Sequence, residues 1–347
     1  MPDLSNPGPI GSLRSGWSAE VGDYAIDSAW SANGEVLVVG DAAGGVYAFE
    51  GRSGAERWGH AEVHERGLLA LEMHPDGALF ATAGQDGCVR IWGAADGEVR
   101  NVLDLGKGWA EKLAWSTDGR LLAASLSRAV YVFDLDGQQI WRSEDQPSTV
   151  SALAWAGPGE LAIACYGRVS FIDVTSNTLL QRLEWKGSLV SMVLSPDGSI
   201  VACGSQDNSV HFWRRESGED SAMHGYPGKP SALAFDGTGT LLATNGGPHA
   251  TVWSFHGEGP EGTRPGVLKL HVEPITTVSF ARRGRRLASG GRDGVVAVWD
   301  LQMDGDGEVV GAAVVEEVIA GLAWRPDGRG LAALDGGGGV TVWRVGS

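Results

Sequence analysis

An all-β fold made from one repeated antiparallel unit is what this sequence predicts, and three observations carry that reading. Gly occurs 53 times and Trp 14 times, and hydrophobic residues reach 43%, a balance that suits many short strands joined by tight turns rather than long helices. Three strings share one pattern: LALEMHPDGALFATAGQDGCVRIW ending at Trp92, SMVLSPDGSIVACGSQDNSVHFW ending at Trp213, and TVSFARRGRRLASGGRDGVVAVWD ending at Asp300. Each alternates apolar and polar residues, turns at Gly, alternates again, turns at Gly or Asn, and runs a third time into Trp. The third observation is spacing. Weaker copies such as SAWSANGEVLVVGDAAGGVYAF and LAWRPDGRGLAALDGGGGVTVW put closing residues at Phe49, Trp92, Phe133, Ile172, Trp213, Trp253, Trp299 and Trp343, at intervals of 43, 41, 39, 41, 40, 46 and 44. A length of 347 residues fits one large domain or two ordinary ones, so the repeat decides the organisation.

The period and these strings resemble the WD40-repeat family of β-propellers, whose unit is about 40–45 residues and whose blades hold four antiparallel strands. The resemblance covers nearly the whole chain. It implies a single closed propeller over residues 12–347, expected to have eight blades of four strands, with seven as the alternative if a degenerate copy such as the one closing at Ile172 is a decoration. Candidate fourth strands are Val99 to Leu103, Gln138 to Arg142, Leu179 to Leu183 and Val267 to Leu270. The last copy is followed by four residues and no such strand. In propellers of this family an N-terminal segment commonly completes the last blade. Residues 12–18, with Leu13 and Trp17, are therefore expected to close the ring and cover its edge. Residues 1–11 are expected to form a flexible N-terminus.

Charge narrows the function. A formal net charge of -16 argues against a nucleic-acid binder, which needs clustered Lys and Arg, and against docking on anionic membranes. Three cysteines, Cys88, Cys165 and Cys203, form no CxxC pair, so neither a disulfide framework nor a thiolate metal site is suggested. The N-terminus has no basic region followed by an apolar stretch, and no run of ~18 apolar residues occurs. A cytoplasmic protein, monomeric by itself and without a cofactor, is expected.

Several residues imitate chemistry. His271, Ser289 and Asp293 supply the side-chain types of a hydrolase triad, and His64, Thr82 and Asp86 form a similar trio. No G-x-S-x-G elbow accompanies them. The family resemblance implies that they form structural tetrads with Trp299 and Trp92, linking the loop before a blade to its inner turn. The tetrad is complete only in the second and seventh copies. The fifth keeps Asp207 and Trp213 but has Cys203 at the hydroxyl position and no His in the loop; the sixth has Pro248 where Asp is expected, in a turn one residue shorter. His60, Glu62, His64 and Glu65 in GHAEVHE offer zinc-ligand types, but the segment precedes a strand and lacks the helical face of an HExxH site. Gly336 to Gly339 lack a following GKS or GKT and read as a hairpin turn. GAERW and GQQIW resemble motifs of quinone-dependent dehydrogenases in two places only. No catalytic residue and no metal ligand is assigned.

The family binds partners mainly through its narrow face. Repeat position places Arg66, Trp109, Glu111, Lys186, Ser188, Lys229 and Glu273 on loops leading into innermost strands, and Gln85, Gln206 and Arg292 on turns between second and third strands. Arg, Trp and Gln in that mixture suit a protein-binding rim. MHGYPGKP (223–230) and HGEGPEGTRPG (256–266) depart most from the minimal repeat, and loops of this kind often carry specificity, which makes Tyr226 and Lys229 the preferred contacts. The expected function is a non-enzymatic protein-interaction scaffold. An enzyme or metal-handling protein using the propeller channel is the alternative, and a structural assembly subunit stands third.

Overall fold

The computed structural model describes residues 13–257 and 259–346, and every regular element among them is a β-strand. The strand β1 (Arg14–Glu20) precedes the repeats. The first repeat holds β2 (Ala25–Trp30), β3 (Val36–Asp41), β4 (Val46–Glu50) and β5 (Glu56–His60), and the second β6 (Leu68–Met73), β7 (Leu79–Gly84), β8 (Cys88–Gly93) and β9 (Val99–Asp104). The third holds β10 (Ala110–Trp115), β11 (Leu121–Leu126), β12 (Ala129–Asp134) and β13 (Gln139–Arg142). The fourth and fifth share β14 (Ala152–Trp155), β15 (Glu160–Asp173), β16 (Thr178–Leu194), β17 (Ile200–Ser205), β18 (Val210–Arg214) and β19 (Asp220–Met223). The sixth holds β20 (Leu233–Phe235), β21 (Leu241–Thr244), β22 (His249–Ser254) and β23 (Gly266–Lys269). The seventh holds β24 (Ile275–Phe280), β25 (Arg286–Gly291), β26 (Val295–Leu301) and β27 (Gly307–Val314), and the last β28 (Ile319–Trp324), β29 (Gly330–Asp335) and β30 (Gly339–Arg344). The second strands β3 and β21 are buried at every position, and β7, β11, β17, β25 and β29 at all but their ends. That is why VLVVGD and LLAA read as unbroken apolar runs: a mid-sheet strand is covered on both faces.

Where eight separate four-stranded sheets are expected, hydrogen bonding gives seven, six of four strands and one of six. The difference lies in the fourth and fifth repeats. β16 pairs with β15 over Thr178 to Ser188 and then with β17 over Leu189 to Leu194. No Asp-Gly or Asn-Gly break interrupts EWKGS, so the strand passes from one repeat into the next without a loop. β15 similarly runs through Tyr166–Gly167, a turn shorter than the GQDG of the second repeat. The expected N-terminal strand lies along the last repeat two residues later than foreseen. β1 pairs antiparallel with β30, Trp17 opposite Val342, while residues 1–12 lie outside the described residues.

Among the described residues the apolar side chains form eight clusters, and each is shared between sequence-adjacent repeats or between the last and the first. One joins Trp17, Trp30, Leu37 and Phe49 to Ala332, Leu334 and Val340. Another joins Val296 and Val298 to Ile319, Leu331 and Trp343. Polar stitches cross the same seams. At the inner end, the indole Nε1 closing a first strand donates to a carbonyl on the neighbouring first strand: Trp30 to Ala323 (3.1 Å), Trp115 to Glu72 (3.2 Å), Trp155 to Ala114 (2.8 Å) and Trp324 to Ser279 (2.9 Å). At the outer end, Trp17, Trp58, Asn101 and Gln181 donate to the carbonyls of Gly51, Ala94, Leu135 and Arg215. Two glycines make room for this. Gly54 and Gly97 have φ of 73° and 70°, and a Cβ on either would stand 2.5 Å from the ring of Trp17 or Trp58.

Trp17→Ala removes a buried ring and its bond to Gly51 at once, so a loss of about 3 kcal/mol is expected. Deleting residues 1–20 uncovers β30 and should add concentration-dependent association. Thermal melts and light scattering check both, and a truncated chain that melts like the full one and stays monomeric refutes the role of β1 in covering β30.

Candidate functional site

In the second repeat a loop, a second strand and a third strand meet through hydrogen bonds. His64 Nε2 lies 2.7 Å from Thr82 Oγ1, which also accepts from Trp92 Nε1 at 2.9 Å, and His64 Nδ1 lies 3.1 Å from Asp86 Oδ1. Arg90 donates to Asp86 Oδ2 at 2.9 Å. The seventh repeat repeats the arrangement: His271 Nε2 is 2.8 Å from Ser289 Oγ, Trp299 Nε1 donates to the same oxygen at 2.9 Å, and His271 Nδ1 is 3.1 Å from Asp293 Oδ1. Thr82 and Ser289 are fully buried. A hydroxyl with no access to solvent and with indole and imidazole already bound cannot meet a substrate carbonyl.

Burial pushes both histidines below the ordinary imidazole range. Burial also raises Asp86 and Asp293, but hydrogen bonds and charge, chiefly from His64 and His271, outweigh it and hold both carboxyls below their usual range.

The sixth repeat does something different with the same frame. Tyr226, expected to contact a partner, has its hydroxyl 3.0 Å from Thr244 Oγ1 and accepts from Trp253 Nε1 at 2.9 Å. It thus stands where His64 and His271 stand, and its hydroxyl is committed inside the protein. The signal was in the spacing: His64 to Thr82, His271 to Ser289 and Tyr226 to Thr244 are each 18 residues apart. In the fifth repeat the same interval joins Trp185 to Cys203. Both nitrogens of His211 and the indole nitrogen of Trp185 are buried without hydrogen bonds, although Asp220 Oδ2 comes within 3.1 Å of His211 Nε2. The rings of Trp185 and His211 stack at 3.8 Å.

The remaining partner candidates are arranged as follows. Arg66, Lys186, Gln206, Lys229 and Arg292 are exposed, Trp109 is 53% exposed, and Gln85 and Glu111 are half-buried. The N–H groups of Gln85, Gln206 and Arg292 donate to the carbonyls of Gly67, Ser188 and Pro274 at 2.9–3.0 Å. Each turn is thereby tied to the entry loop of its own repeat, which brings Gln85 near Arg66, and Gln206 near Lys186. Tyr166, 57% exposed on the corresponding turn of the fourth repeat, was missed because that copy lacks the usual turn residues.

Glu111 instead stands on β10, beside a cavity of about 500 Å³ lined by first strands and containing Asp27, Glu72 and Lys112. Burial drives Glu72 up to about 8, with Asp27 adding to the rise, and drives Asp27 up to about 6. Sequence reasoning passed over both acids, although LALEM and AIDSAW place them in otherwise apolar inner strands. In GHAEVHE, His60 Nε2 is bound at Gly97 O (3.0 Å) and its ring lies on Trp92, away from the bonds of His64. Among the described residues no three His, Cys, Asp or Glu side chains gather as metal ligands.

A family model described as "WD domain, G-beta repeat" matches residues 59–93, 177–214 and 262–300. Similar curated proteins include Actin-interacting protein 1 of Caenorhabditis elegans, 22% identical over 71% of this chain and 41% of that protein. WD repeat-containing protein 26 homolog of Arabidopsis thaliana is 22% identical over 69% of this chain and 41% of its own length. Protein HIR1 of Mycosarcoma maydis is 26% identical over 80% and 32%. The chain spans less than half the length of these relatives. A crystal structure of the computationally designed Ika8 protein superposes with a TM-score of 0.82 at 21% identity, covering 96% of this chain and all of that one. Sheets, repeats and superposition define an all-β propeller. Three segments of the chain match the WD40-repeat model, and the chain is similar to a WD repeat-containing protein over 69% of its length.

Asp293→Ala leaves the buried imidazole of His271 without its Nδ1 partner, so it should cost about 1–3 kcal/mol of stability. An esterase or protease activity lost in a stably folded Ser289→Ala variant contradicts the structural role. The pH profile has two opposing parts. His64 and His271 are depressed, so their contribution is present above about 6.5, the ordinary imidazole value, and is lost as pH falls. Glu72 is raised, so its contribution is present below the ordinary carboxyl range and is lost as pH rises through about 8. Glu72→Gln should therefore raise the melting temperature at pH 8 relative to the parent and change it little at pH 4.

Proposed function

We propose that the chain is a non-enzymatic scaffold: a ring of eight blades, closed by β1, that offers its narrow face to a protein partner. The eight shared apolar clusters support the count, with the six-stranded sheet supplying two blades. So do the contacts of Trp17 and Trp30, which carry the first repeat onto the last. One observation carries the functional reading. The hydroxyl, imidazole and indole groups that imitate catalysis are buried and mutually bonded, while Trp109, Lys186, Lys229 and Arg292, from four different repeats, are exposed, Lys186 within β16 rather than on the expected loop and the others on entry loops and turns.

A partner touching several of them lies across the mouth of the ring. The net charge of -16 favours protein over nucleic acid as that partner, and a relative named for interacting with actin supports the same class. A cytoplasmic monomer is part of this reading. The raised carboxyls of Asp27 and Glu72 beside the inner cavity favour a second reading, acid–base chemistry within the ring.

Affinity purification from native cells with mass spectrometry identifies the partner. Its affinity is then measured for alanine variants at Trp109, Tyr166, Lys186, Lys229 and Arg292, and at Glu35, Arg120 and Glu219 on the opposite turns. Trp109→Ala or Arg292→Ala should each cost ~2 kcal/mol of binding, and the opposite set should be nearly silent. Equal losses from both sets sink the narrow-face assignment.

A further inference from the structure

A cleft of about 290 Å³ opens on the sixth repeat, between the loop that carries Tyr226 and the strands β22 and β23. Its volume is at the small end of ligand sites, nearer to one side chain than to an extended ligand. Tyr226 and Trp253 line it together with Pro227, Pro248, Pro265 and Val267. The indole N–H of Trp253 is spent on the Tyr226 hydroxyl, and that hydroxyl is shared with Thr244. These two residues therefore have apolar ring surface left to offer. In a chain this acidic, the lining contains no Asp, Glu, Lys or Arg among the described residues. His224 and His249 also line it, but no carboxylate does, so a cationic occupant entering it is desolvated without a counter-charge.

The second repeat shows what covers the equivalent surface. There Trp92 is only 2% exposed. The His60 ring stacks on it at 5.8 Å, and Arg90 runs beside it to Asp86. In the sixth repeat each of those side chains is replaced by another. Thr251 has the register position of Arg90, opposite Thr244 as Arg90 is opposite Thr82. The shortened turn has Pro248 and no Asp. Met223, paired with Val210 as His60 is paired with Val46, is an aliphatic residue buried in an apolar cluster with Phe212 and Phe255, against which Tyr226 and Trp253 also pack. Trp253 is left half-buried at the cleft.

We infer that this cleft is a socket for an aromatic side chain of a partner peptide, which seats its ring against Tyr226 and Trp253 much as His60 seats on Trp92. The socket itself is independent of the scaffold reading; only the source of the ring rests on it. The socket lies on the loop that carries exposed Lys229, so an occupant can continue onto the face proposed above.

The test titrates the full chain with N-acetyl-tryptophanamide, followed by saturation-transfer NMR, with N-acetyl-leucinamide and N-acetyl-argininamide as comparison probes. Saturable binding that favours the tryptophan amide is expected. Thr251→Arg, which restores the side chain of the second repeat, should weaken it by about tenfold, the scale of one lost aromatic contact. Val267→Glu, at a position 44% exposed, should weaken it in the same direction and serves as the decisive variant if Thr251→Arg does not melt like the parent. Absence of saturable binding, equal binding in a normally folded Val267→Glu, or preference for the arginine amide overturns the socket. If the amide binds but the copurified partner is insensitive to Val267→Glu while losing affinity in Trp109→Ala, the scaffold reading stands and the peptide source is refuted.

Discussion

Everything in this molecule depends on the seam between consecutive repeats. A four-stranded sheet buries its two faces only against neighbours, so no repeat has a core of its own, and the apolar clusters are all shared. Apolar contact alone is weakly directional. Added hydrogen bonds set the register at both ends of the seams from last to first repeat and from second to third, and at an end of several others. Indoles at the ends of first strands fix the inner end, while Trp17, Trp58, Asn101 and Gln181 fix the outer. The seam between the sixth and seventh repeats has neither device: Phe280 replaces the inner indole and Gly266 stands at the outer donor position. Ser254 donating to Met303 O at 2.7 Å, and Asn245 to Ile275 O at 3.0 Å, hold it instead.

The same frame accepts several chemistries at the junction of loop, second strand and third strand. His–Thr–Trp, His–Ser–Trp, Tyr–Thr–Trp and Trp–Cys–Trp occupy it in the second, seventh, sixth and fifth repeats. In the two His junctions the central hydroxyl accepts the indole N–H, and in the third the Tyr226 hydroxyl accepts it and is shared with Thr244. The fourth exchanges the hydroxyl for a thiol and fills the space with stacked rings, leaving Trp185 Nε1 without a partner. An unpaired buried N–H costs stability, so rigidity is distributed unevenly around the sheets. The uneven part is the run from β16 to β23, where the strand fusion and the open cleft both occur.

Much of the fold was legible because its two signals are local. Alternation marks strands and Gly marks turns, and the closing Trp or Phe recurs at a nearly fixed interval. What escaped were properties of pairs. β16 crosses from one repeat to the next because EWKGS lacks a breaker, and absence of a breaker is a weak signal when every neighbour has one. Tyr226 read as a loop residue because residue type was weighed before spacing, although 18 residues separate it from Thr244. Asp27 and Glu72 look like ordinary polar positions until the first strands converge and desolvate them. Of the interaction candidates, Trp109 and Arg292 were visible through repeat position, while Tyr166 was hidden by the shortened turn that presents it.

The exposed rim is held by backbone ties in addition to the buried side-chain junctions of the second and seventh repeats. In five repeats the N–H of the turn residue, Ala42, Gln85, Gln206, Arg292 or Gly336, donates to the carbonyl of the matching entry-loop residue, Tyr24, Gly67, Ser188, Pro274 or Val318. Because the tie uses no side-chain atom, it holds the Cα positions whatever residue stands there, and Ala, Gln, Arg and Gly are all accommodated. Side chains at these positions are therefore released from structural duty at fixed points around the mouth. The buried junctions have the opposite property, since their side chains are the bonds. That separation lets a propeller alter what it presents without altering how it folds. The sixth repeat marks the boundary between the two regimes, because there the residue that completes the buried junction, Tyr226, also forms a wall of an open cleft.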